Sequence, residues 1–153
     1  MGQNEVDSLR IKMNVSSISL NMYGEPSMYD ITTRTNLRYD EAIAKVKKEL
    51  AKEGFGVLTE IDVKETLKKK LDYDFTDYII LGACNPPFAK NALEGEMNIG
   101  LLLPCNVIVY ADGDETVVSA IRPKEMFKLV ENKELIGIAD EIEERLERVI
   151  ANI

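Results

Sequence analysis

Two short stretches hold most of the side chains that could do chemistry: Cys84-Asn85-Pro86 and Pro104-Cys105-Asn106, near mirror images that each adjoin an apolar run. Brought together, they would gather two thiols and two carboxamides around one point. A thiol pair can ligate a soft ion such as copper(I) or zinc, or cycle between dithiol and disulfide, while a carboxamide can orient a polar ligand. Cys84 precedes an expected helix start, where free amides and the helix dipole would favour its thiolate. The 21-residue separation of the cysteines is no compact metal motif, and two thiolates are too few for a closed zinc site, so no metal site is assigned. Glu60, on the same strand face as Asp62, completes the set of candidate ligand-binding residues: Cys84, Asn85, Pro86, Cys105, Asn106 and Glu60. Each also has a packing reading. The cysteines would serve as small buried residues, Asn85 as a helix cap, Asn106 as a loop brace and Glu60 as the partner of a lysine. No catalytic residue or cofactor follows from these residues.

Composition narrows the classes of function. Nineteen Lys and Arg against 27 Asp and Glu give a net charge of −8, which argues against nucleic acid and anionic membranes as partners. With no histidine, histidine-dependent triads and the usual zinc-hydrolase ligand sets are excluded. The apolar runs fall well short of the roughly 20 residues of a membrane span. Two cysteines and an amino terminus without a basic start and long apolar run point to the cytoplasm.

The elements that must position the candidate residues can be read from periodicity. Residues 1–27 are expected to form an arm or an extra hairpin, and residues 28–153 a single α+β domain. A strand is expected over 28–35. Ile43, Val46 and Leu50 then mark one face of a helix over 39–53, which Gly54 ends in a left-handed cap. Residues 55–61 alternate, with Phe55, Val57, Thr59 and Ile61 facing one way and Leu58, Glu60 and Asp62 the other. Asp62 and Glu65 form a capping pair for a short basic helix. A buried strand over 77–83 leads to Asn85 as N-cap and a helix over 86–94. Strands over 106–110 and 115–121 join at an Asp112-Gly113 turn, and Pro123 opens a short helix holding Met126, Phe127 and Val130. Leu135, Ile138, Ile142, Leu146 and Val149 then stripe a long terminal helix. This order predicts an antiparallel or mixed sheet with helices on one face; the strand–helix rhythm of a doubly wound fold breaks at the hairpin, and no glycine-rich phosphate loop is present.

Three blocks, GFGVLTEIDV (54–63), LGACNP (81–86) and GLLLPCNVIVY (100–110), resemble the signature of the domain-of-unknown-function 302 family, and the likeness extends over about 29–130. The resemblance implies a small α+β domain similar in topology to the TATA-binding-protein-like fold, strand, helix, four strands, helix, and an association into dimers. It brings no activity with it, and no DNA binding for an acidic chain. Three readings stay open: a binding or accessory domain for a small polar or anionic ligand between the Pro86 helix start and the Cys105 strand; a thiol-based redox or soft-metal protein; and a structural module for homodimer formation.

Overall fold

Alternation and helical spacing resolve into a five-stranded sheet with two helices laid on one of its faces. A computed structural model of the protein describes residues 24–153. Along the chain come β1 (Asp30–Thr35), α1 (Tyr39–Lys52), β2 (Gly56–Asp62), α2 (Val63–Leu71), β3 (Tyr78–Cys84) and α3 (Pro86–Gly95). A 3-10 turn (Met97–Leu102), β4 (Cys105–Asp112), β5 (Glu115–Ile121), α4 (Pro123–Phe127) and α5 (Glu134–Ala151) follow. The strand order is β1-β5-β4-β3-β2, and every neighbouring pair is antiparallel. This is the α+β class expected from the sequence. The expected arm or hairpin over 1–27 lies, apart from its last residues, outside the described chain.

Residues one turn apart on α1 (Ala42, Val46, Leu50) and on α5 (Ile142, Leu146, Val149, Ile150) bury against Leu81, Ala83, Val107, Val109, Val118 and Ala120 of the sheet. Registers such as Leu81 opposite Val107 and Val107 opposite Ala120 put these side chains on the same face, so one apolar layer joins helices and sheet. A second cluster of Ala92, Ile99, Phe127, Leu135 and Ala139 ties α3, the 3-10 turn and α4 to the start of α5.

Three local details depart from the sequence reading. Val57 pairs with Ala83 and Thr59 with Gly82, so a bulge at Leu58 reverses the pleat. Val57 therefore packs towards the helices, while Thr59 and Ile61 lie on the other face, not on the side of Val57 as simple alternation predicts. In the hairpin, Asp112 and Glu115 form the last strand pair, which moves the two-residue turn to Gly113-Asp114. Gly113 takes φ +60°, a conformation that hairpin turns favour and a side chain resists. The helix opened by Pro123 ends at Phe127, so Val130 falls beyond it.

The end of α1 shows how the helices are tied together. Gly54 adopts φ +83°, and Phe55 N–H bonds back to the Leu50 carbonyl at 3.0 Å, which closes the helix. Just before it, both carboxylate oxygens of Glu53 accept from Arg148 of α5, at 2.9 and 3.0 Å. The Arg148 hydrogen bonds, helped by the charges of Arg148 and Arg145, hold the Glu53 carboxyl below its ordinary range. A carboxyl depressed in the folded state contributes stability above its unfolded pKa and loses it as pH falls through the folded value. Urea midpoints should therefore drop on acidification by a part that Arg148→Met removes. Because Arg148 is half-exposed, that part should be below about 1 kcal/mol. Equal acid sensitivity in the two proteins would show that the pair does not couple to folding.

Candidate thiol site

β3 and β4 meet antiparallel with Ala83 opposite Cys105, which brings the end of one cysteine block beside the start of the other. Cys84 closes β3 and Cys105 opens β4, and both are free thiols, Cys84 half-buried and Cys105 buried. They line one cavity of about 20 Å³, walled by Phe55, Phe88, Ala89, Leu103, Pro104 and Ile142 among others. That volume is close to the room needed for one water molecule. Burial, with a smaller contribution from Cys84, pushes the Cys105 thiol up to about 12, so at neutral pH Cys105 keeps its proton.

Asn85 occupies the N-cap position of α3 but its side chain makes no capping bond. It is buried, and its Nδ2 donates to the Glu53 carbonyl at 3.2 Å, across the site and at the end of α1. The Glu53 carbonyl also accepts from Arg145 Nη1 at 3.0 Å. One orphan helix end is thereby tied down: the carbonyl left over by α1 is satisfied by the Asn85 side chain at the start of α3 and by Arg145 of α5. A Cβ at Gly54 would come within 3.2 Å of Asn85 Nδ2, so the glycine is needed for this approach as well as for its φ.

The free amides expected ahead of Cys84 are largely missing. Pro86 and Pro87 have no N–H, and the Ala89 amide bonds to the Asn85 carbonyl at 2.9 Å, so of the first-turn donors only Phe88 remains. Pro86 itself is exposed and opens the helix rather than facing the cavity. Of the remaining candidates, Asn106 meets one thiol and Glu60 neither. Asn106 pairs with Gly82, is exposed, and lines an adjoining cavity of about 160 Å³ that shares Leu103, Pro104 and Cys105 with the first and is completed by Ile121, Met126 and Phe127. Glu60 is on β2 in an ion pair with Lys47 of α1 and lines neither cavity.

Sequence reasoning passed over Arg145. Its guanidinium lies 5.2 Å from the centre of the Phe88 ring, a cation–π arrangement beside the cavity wall, and its Nη2 approaches Glu141 at 3.4 Å. Nothing near Cys84 in the chain announces an arginine on the last helix. Only the packing of α5 against α3 puts it there.

The fold and this geometry define a small α+β domain with a partly buried thiol pair at a strand–helix junction. The chain belongs to the DUF302 family: the profile of this domain of unknown function matches residues 31–153. The crystal structure of an uncharacterised conserved DUF302 protein from Bacillus stearothermophilus is similar, with a TM-score of 0.76 and 32% sequence identity, covering 81% of this chain and 97% of that one. No curated protein matches the chain. No helix of the described residues is long and apolar enough to cross a membrane.

Proposed function

We propose that this domain is a thiol-based redox protein in which Cys84 and Cys105 interconvert between dithiol and disulfide. One observation carries the reading: two free thiols from separate blocks line the same small cavity. Cys84, the less buried, is the attacking group. Its sulfur attacks the distal oxygen of a hydroperoxide, an S–O bond forms as the O–O bond breaks, and the departing oxygen leaves with the thiol proton as an alcohol, or as water when hydrogen peroxide is the oxidant, so that Cys84 becomes a sulfenic acid. The Cys105 sulfur then attacks the sulfenic sulfur. The S–O bond breaks, and the hydroxyl leaves as water with the Cys105 proton. Two molecules of a small thiol return the disulfide to the dithiol by successive exchanges and leave joined as their own disulfide.

The scarcity of free amides at the helix start favours this reading over an anionic ligand held there. The test is mass spectrometry after one equivalent of hydrogen peroxide. Wild type should lose two hydrogens as one intramolecular disulfide. Cys105→Ser should stop at a sulfenic acid trapped by a carbon nucleophile, and Cys84→Ser should stay unmodified. A wild-type protein that keeps both thiols, or a Cys84→Ser variant that consumes peroxide as fast, would sink the proposal.

We also propose that the domain forms a homodimer through the β2 end of its sheet. Among the described residues β2 is an edge strand, and it carries Leu58 at 68% and Ile61 at 49% exposure, with Leu71 of α2 also out in solvent. Sedimentation should find a dimer that Leu58→Lys converts to monomer. A wild-type monomer throughout the concentration series would refute it.

A further inference from the structure

Between α4 and the first half of α5 lies a cavity of about 400 Å³, within the size range of sites for small organic ligands. Its floor is apolar, with Phe127 and Ala139 buried and Val130 half-buried, and at its mouth Ile136 remains 58% exposed. The rim is more basic than the acidic chain as a whole: Lys124, Lys128 and Lys133 against Glu131 and Asp140. Two of these lysines are already engaged, Lys124 with Asp140 at 3.1 Å and Lys128 with Glu125 at 2.8 Å.

Lys133 has no carboxylate partner among the described residues. It also stands at the N-cap of α5, the positive end of the helix, where a cation gains nothing from the fold. The neighbouring polar group is already engaged at both ends: Asn132 Nδ2 donates to the Gly95 carbonyl at 3.1 Å, and its Oδ1 accepts from Glu134 N–H at 3.0 Å. A charge left without a local role beside an apolar hollow is what an amphipathic anion would complement. We propose that this cavity binds a medium-chain fatty carboxylate, its chain against Phe127, Val130, Ile136 and Ala139 and its head on Lys133. A neutral apolar ligand would forgo the charge-assisted contact with that lysine, and a dianion would be opposed by Glu131, which has no ion-pair partner among the described residues, whereas Asp140 is paired with Lys124.

Calorimetric titration of the full chain with decanoate, decanol and acetate tests it. Decanoate should bind one to one, decanol about tenfold more weakly because it lacks the charge-assisted contact, and acetate not measurably. Lys133→Glu should weaken decanoate about tenfold and leave decanol unchanged, whereas Ile136→Asp, at an exposed position, should weaken both while the melting temperature stays within a few degrees. Absence of decanoate binding, equal affinity for decanol, or indifference to Lys133→Glu would each overturn the proposal. So would decanoate affinity that falls as protein concentration rises, because a second copy would then occupy the cavity.

Discussion

Gly82→Val should lower the unfolding free energy by about 3 kcal/mol, although valine is among the best strand formers. Gly82 is buried in β3, paired with Thr59 on one side and Asn106 on the other. A Cβ there would run into Thr59 Oγ1 and come within 2.9 Å of Pro104 Cγ. Thr59 is exposed and its hydroxyl can rotate away, but the Pro104 ring is fixed in its own backbone and immediately precedes Cys105. The overlap must therefore be relieved by separating β3 from the Pro104 segment, which weakens the ladder and opens the thiol cavity together. Urea unfolding measures the cost, and Thr59→Ala in the same chain should restore only the lesser part of it. A Gly82→Val protein as stable as wild type would mean that the strands yield without loss and that the glycine is not demanded by packing.

Leu146→Ala should be equally damaging for the opposite reason. Leu146 is fully buried on α5 within the layer that joins both long helices to the sheet, and truncation there removes apolar contacts and leaves a hole that close-packed neighbours fill only in part. The expected loss is about 3 kcal/mol. Leu129, 74% exposed, is the internal control, and its change to alanine should stay within about 0.5 kcal/mol. Similar denaturation midpoints for the two variants would contradict the burial that places α5 on the sheet.

Local signals in the chain carried a large part of this architecture. The spacing of Ile43, Val46 and Leu50 is enough to define α1, and Gly54 is enough to end it, because a helix face and a left-handed cap depend on residues within a turn of each other. Asp62 accepting from Glu65 N–H at 2.9 Å is equally local. The long blocks around residues 54–63, 81–86 and 100–110 sufficed for the family. Asn85 fits a cap in type and place, yet its amide serves a carbonyl at the end of α1, an acceptor that no short-range pattern reveals.

What the sequence determined by itself was therefore the identity and order of the elements, the α+β class, the family, and the two blocks that hold the cysteines. Those depend on periodicity and on backbone preferences that act over a few residues. Tertiary structure alone decided that Ala83 stands opposite Cys105 so that both thiols border one cavity, that Asn106 lines an adjoining one that only Cys105 shares with it among the thiols, that the Leu58 bulge reverses the outer half of β2, and that Arg145 of α5 lies against Phe88. Strand register and helix docking are set by apolar burial summed over segments far apart in the chain, and a shift of one residue in that sum moves every side chain to the other face.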